Sequence, residues 1–233
     1  MPGENLTRAE AVERAGVVSV ESYEIALDLT TGPETFASAT TVRFTATEGA
    51  STFVDLVAPS VRSVVLNGRE LDPSAVFADS RITLEGLAAD NELVVVADCG
   101  YTNTGEGLHR FVDPVDGEVY LYTQFEVPDA RRVFACFEQP DLKATFQFTV
   151  TAPAAWQVVS NEPTPEPVAA GEDVATWTFE PTGRISTYIT ALVAGPYAVV
   201  RSSLTSSDGR EIPLGAFCRK SLSEHFDADY IFE

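Results

Sequence analysis

Between Tyr23 and Leu29 the chain alternates, with Tyr23, Ile25, Leu27 and Leu29 interleaved by Glu24, Ala26 and Asp28. That period of two fits a half-buried strand, whose successive side chains face opposite ways, and it fits no helix. The rhythm returns at Val42, Phe44 and Ala46, at Ile82 and Leu84, and from Ala144 to Thr151, with Phe146 and Phe148 on one face. Turn formers separate the runs: Gly32-Pro33, Asn67-Gly68, Glu85-Gly86 and Asp90-Asn91. Asn67-Gly68 after Val61–Leu66 predicts a tight hairpin, because both residues tolerate positive φ. Further strands are expected at Phe53–Val57, Leu93–Ala97, Val119–Glu126, Trp156–Val159, Ala175–Phe179, Thr187–Val193 and Tyr197–Ser202. The pattern predicts an all-β, antiparallel, sandwich-like sheet assembly.

Helical signals sit only near the two ends. Thr7-Arg8-Ala9-Glu10 fits a capping box opening a short helix, and Gly16 is placed to stop it in a left-handed conformation. Ser221-Leu222-Ser223-Glu224 predicts a second capping box, starting a C-terminal helix that runs through Ile231. Gly105–Gly117, around His109 and Phe111, is expected to be a long irregular loop. Pro163–Pro167 is too short for a domain linker. With no internal repeat or composition break, one β domain is expected over residues 1–220. Residues 221–233 then begin a connection to a domain absent from the chain, and the pattern stops at Glu233 as a truncation would.

Composition excludes several classes. A hydrophobic content of 45% rules out a disordered chain, and 35 acids against 15 bases give a net charge of −20. Nucleic acids and anionic membranes need clustered Lys and Arg, whereas the only adjacent bases are Arg131-Arg132 and Arg219-Lys220. Neither partner is expected. The apolar run Leu93–Ala97 is a strand's length, far short of a bilayer span. Cys99, Cys136 and Cys218 are odd in number and form no Cys-x-x-Cys pair, which suits a reducing compartment. Met1-Pro2-Gly3-Glu4 opens no apolar leader. A cytoplasmic location is expected, and the Asn5-Leu6-Thr7 glycosylation triplet is read as accidental.

Complete catalytic machinery is absent from the motifs. The chain has no phosphate-binding Gly-x-x-x-x-Gly-Lys-Ser/Thr loop, no Gly-x-Ser-x-Gly elbow, no Gly-x-Gly-x-x-Gly turn and no His-Glu-x-x-His helix. His109 and His225 alone cannot form the three-ligand site of a catalytic zinc. Cys136, between Phe134 and Phe137, reads as a small core residue. No catalytic residue and no metal ligand is therefore assigned. What remains is Gln124 and Glu126, two apart on one strand and thus on one face. They read either as a polar face meeting water or as an amide and a carboxylate displayed to grip a ligand's ammonium. Arg131 and Arg132 are expected to be surface ion-pair partners.

Thr123-Gln124-Phe125-Glu126, Asp129-Ala130-Arg131-Arg132, Phe137, Pro140 and Leu142–Phe146 follow one another in an order that resembles the N-terminal domain of the M1 family of zinc aminopeptidases. Ser160–Pro163, Ser186-Thr187-Tyr188, Gly195, Arg219–Leu222 and Asp227–Asp229 extend the resemblance over nearly all of the chain from about Tyr23. The chain departs where the family commonly has Pro-Cys-Phe-Asp-Glu-Pro, carrying Ala135-Cys136-Phe137-Glu138-Gln139-Pro140 instead. That departure is expected to loosen the turn and lose an acid. The resemblance implies a saddle-shaped antiparallel assembly packed on a catalytic domain of the same polypeptide. It implies that Glu126 accepts a hydrogen bond from a peptide's α-ammonium with Gln124 lining the same pocket. It also implies a zinc bound outside this chain, and no cofactor within it. Two alternatives stay open: a non-catalytic scaffold relative of the family, and an unrelated β-sandwich binding module. A docked catalytic domain predicts an exposed apolar patch.

Overall fold

The computed structural model describes residues 5–233; the Met1–Glu4 opening considered for a leader lies outside them. Helix α1 (Arg8–Val17) starts on the expected capping box. Thr7 Oγ1 accepts the Glu10 N–H at 3.3 Å, and Glu10 Oε2 accepts the Thr7 N–H at 2.8 Å. Gly16 does not stop the helix. Extended backbone at Val18 (φ −123°, ψ 150°) ends it, because β1 begins there at once.

Strand β1 (Val18–Asp28) pairs antiparallel with β2 (Thr35–Ala46), placing Tyr23 opposite Val42. Strand β3 (Thr52–Asp55) precedes the hairpin of β4 (Ser60–Leu66) and β5 (Arg69–Leu71), whose turn has φ 53° at Asn67 and 76° at Gly68, as its sequence requires. One helical turn, α2 (Pro73–Val76), leads to β6 (Phe77–Ala78) and β7 (Arg81–Leu84), which form a three-stranded sheet with β3. Strand β8 (Asp90–Gly100) inserts between β2 and β4. The segment expected to be an irregular loop contains β9 (Gly107–Val112), paired with β10 (Val119–Gln124). Its glycines mark the ends of a strand rather than a loop interior.

Strand β11 (Thr145–Pro153) is the one departure from an antiparallel order among these pairings. It lies parallel to β1, with Ser22 beside Thr145 and Asp28 beside Thr151. Strand β12 (Gln157–Ser160) joins the β9–β10 sheet, while β13 (Val168–Gly171) and β14 (Val174–Thr178) complete the eight-stranded sheet. Thr187–Ile189 is a 3-10 turn, not the start of the expected strand; β15 (Leu192–Gly195) begins only beyond it. Strands β16 (Ala198–Thr205) and β17 (Glu211–Cys218) form a hairpin that, among the described residues, pairs with no other sheet. Leu204 and Ile212 face each other across it and stay exposed, as does Val200.

The second capping box is not formed. Ser221 Oγ donates instead to Asp113 Oδ2 at 2.6 Å, fastening the C-terminal segment to the β9–β10 connection. The final helix, α3 (Ala228–Phe232), is capped by Asp227, which accepts the Tyr230 N–H at 3.1 Å.

The core under β1 and β11 is aromatic. Tyr23 stacks on Phe146 at 4.7 Å, and Phe134 meets Tyr23, Phe146, Phe148 and Phe125 edge-on at 5.9–6.2 Å. Offset and edge-to-face contacts of this kind add to the burial of the rings. Phe125 belongs to the segment that carries the candidate site.

Candidate functional site

The ladder of β10 ends at Gln124, opposite Gly107, so Glu126 lies in the following turn rather than on the strand. The alternation nevertheless continues by burial. Gln124 and Glu126 are exposed, and Phe125 between them is buried against Phe134. The buried ring thereby fixes the segment between two outward polar residues. The Glu126–Val127 peptide bond is cis.

Two acids of the neighbouring segments, Asp129 and Glu106, share a single cation. Arg132 donates from Nε to Asp129 Oδ1 at 2.6 Å and pairs with Glu106 Oε2 at 3.3 Å. Among the described residues no cation pairs with Glu126. The site therefore presents one uncommitted carboxylate beside the Gln124 amide. On the same strand face, exposed Tyr122 stacks on His109 at 4.7 Å, and His109 Nδ1 accepts the Gly105 N–H at 3.1 Å.

Arg132 fits as the expected ion-pair partner, but Arg131 does not. It is buried; its Nε donates to the Pro128 carbonyl at 2.8 Å, and its backbone N–H donates to Glu138 Oε2 at 2.7 Å. Adjacent residues on a 3-10 turn point apart, so one arginine reaches the rim while the other folds beneath it. Glu138 and Gln139 do not loosen the turn as expected. Both are buried and bonded: Gln139 Oε1 accepts Arg14 Nε at 3.0 Å, and its Nε2 donates to the Ala11 carbonyl at 2.9 Å. Cys136 is a fully buried core thiol, and burial pushes its pKa up.

Gly107 was not singled out by its sequence, yet it positions both Arg132 and Gln124. Its φ is +60°, and an added Cβ would stand 2.8 Å from Arg132 Cβ. Gly107→Ala is expected to cost roughly 1–3 kcal/mol of stability through that clash and the left-handed backbone. Equilibrium urea unfolding checks this, and an unchanged midpoint contradicts it.

Among the described residues no three His, Cys, Asp or Glu side chains converge as a metal site. The donor set a catalytic zinc requires is not offered here.

A family pattern described as the Peptidase M1 N-terminal domain matches residues 91–189. The chain is 64% identical over 237 residues to Aminopeptidase N of Streptomyces lividans, covering 100% of this chain and 27% of that protein. It is 30% identical over 219 residues to Probable M1 family aminopeptidase 1 of Encephalitozoon cuniculi, covering 76% of this chain and 24% of that protein. The chain thus spans about a quarter of the length of these curated relatives. Its fold matches the crystal structure of Legionella pneumophila aminopeptidase A in complex with aspartic acid, with a TM-score of 0.78. That match covers 90% of this chain and 25% of the other at 18% identity, a likeness of fold alone.

Proposed function

The chain belongs to the M1 peptidase family, as its N-terminal domain, and from that premise we propose that it anchors peptide N-termini for a larger zinc-dependent aminopeptidase. The observation that carries the reading is the Glu126 carboxylate, exposed like Gln124 and without a cationic partner among the described residues, while Asp129 and Glu106 pair with Arg132. A free α-amine titrates near pH 8 and is mostly cationic at neutral pH, whereas an internal amide carries no charge. A fixed carboxylate therefore favours a chain end over the middle of a peptide. Gln124 adds an amide able to accept from the ammonium or donate to the first carbonyl.

Among the described residues no side chains converge as a zinc site, and the proposal assigns the metal and the catalytic domain to other parts of a longer polypeptide. The proposal includes a cytoplasmic setting, which the three free cysteines support. Among the described residues no helix is long and apolar enough to cross a membrane.

The test is Glu126→Gln in the full-length enzyme. It keeps the shape of the side chain and removes the charge. Loss of a desolvated charge pair is expected to lower kcat/KM for substrates with a free amine by roughly 2–4 kcal/mol, chiefly through KM. Turnover of substrates acetylated at the N-terminus, already poor, should not fall further. Unchanged kinetics for the free-amine substrates would remove Glu126 from the role.

A further inference from the structure

The turn that carries Glu126 is held from below by a carboxylate to which no role attaches so far. Glu138 is buried, yet both of its oxygens are engaged. Oε2 accepts the Arg131 N–H at 2.7 Å, and Oε1 accepts the Thr187 hydroxyl. Its backbone N–H donates to Asp55 Oδ2 at 3.1 Å, and Asp55 is itself locked to Arg14 at 2.7 Å. The carboxylate is therefore mounted on a rigid base. Arg131 passes the restraint onward, since its Nε holds the Pro128 carbonyl, two residues from Glu126. The opposite end of the turn is pinned by Phe125 in the aromatic core.

We propose that Glu138 is a positioning residue, whose buried carboxylate sets the height and orientation of Glu126 by fixing the turn between them. The inference rests on the amine-anchoring reading of Glu126, and it assigns the control of that site. It also connects the site to the 3-10 turn at Thr187–Ile189, through the hydroxyl on Oε1.

The groups facing Glu138 are the Arg131 amide, the Thr187 hydroxyl, the Cys136 thiol at 3.6 Å, and the charges of Asp55 and the Arg131 guanidinium. Burial pushes the Glu138 carboxyl up to about 7, against the Thr187 and Arg131 donors that favour its ionised form. In either protonation state one oxygen remains an acceptor for the Arg131 amide. The geometry therefore asks for an acceptor at this place more than for a charge, and a neutral isostere should serve.

Three variants of the full-length enzyme test this beside Glu126→Gln. Glu138→Ala is expected to raise KM for free-amine substrates about tenfold with kcat kept within about twofold, as displacement of an anchoring group implies. Hydrogen exchange should quicken in peptides spanning residues 126–133 while β1, β2 and β8 keep their protection. Glu138→Gln should restore both values. Thr187→Val, which removes only the second donor, should raise KM in the same direction by about threefold, and it carries the test should Glu138→Ala not fold. Wild-type KM and exchange in Glu138→Ala, or in Thr187→Val where the former is unfolded, overturn the proposal. So does equal loss from Glu138→Gln. If Glu126→Gln leaves KM unchanged while Glu138→Ala still loosens residues 126–133, the anchoring reading fails and the mechanical link stands. If Glu126→Gln raises KM and Glu138→Ala does not, the link alone is wrong.

Discussion

Asp55→Ala is expected to lower the free energy of unfolding by about 3–5 kcal/mol, because it strands a buried guanidinium. The Arg14 and Asp55 side chains are 1% and 3% exposed, and their ion pair closes at 2.7 Å. Arg14 also gives Nε to Gln139 and lies over the Phe53 ring at 4.8 Å, yet its second terminal nitrogen has no hydrogen-bond partner in its buried position. The cation is thus already under-satisfied, and Asp55 is its sole anionic partner among the described residues. Removing that acid also takes the acceptor from the Glu138 N–H. A paired apolar replacement at both positions should cost much less than the single change, since the penalty comes from an uncompensated charge rather than from the pair itself. Urea unfolding followed by the fluorescence of buried Trp177 reads both. A loss below about 1 kcal/mol in Asp55→Ala contradicts the assignment.

Phe134→Ala should cost a comparable amount, about 3–5 kcal/mol, by opening a large cavity in a core that cannot close over it. The ring is fully buried and touches four other aromatic rings edge-on. Its neighbours belong to β1, β11 and the segment bearing Glu126, so no single element can relax into the gap. Phe134→Leu, which retains most of the volume, should lose distinctly less. The same unfolding experiment compares them, and equal losses would point to something other than the cavity.

The alternation at Tyr23–Leu29 and Ala144–Thr151 made the strands of the main sheet legible, but not that these two run side by side in parallel. Period-two patterning reports which face is buried and carries no information on strand direction. Asn67-Gly68 was legible because a tight turn is a local event. The strand at Gly107–Val112 was masked by flanking glycines, since its partner and not its own composition makes it a strand. At the site, the exposure of Gln124 and Glu126 followed from spacing, even though the ladder ends before Glu126. The burial of Arg131 and Glu138 did not follow, because each finds its partner through a fold in the backbone that charge alone does not forecast. Ser221 likewise had the grammar of a helix cap, and a buried aspartate 108 residues earlier claimed its hydroxyl.

The side-by-side pairing of Ser22 with Thr145 imposes an order on synthesis. Until the ribosome has delivered residues up to about Thr151, the first strand has one hydrogen-bonded neighbour and one bare flank. Contacts that span so much sequence form late, and an open strand flank invites pairing with other chains in the meantime. A nascent polypeptide of this kind is most in need of chaperone cover until about two-thirds of these residues have emerged, since only then can the bare flank be closed.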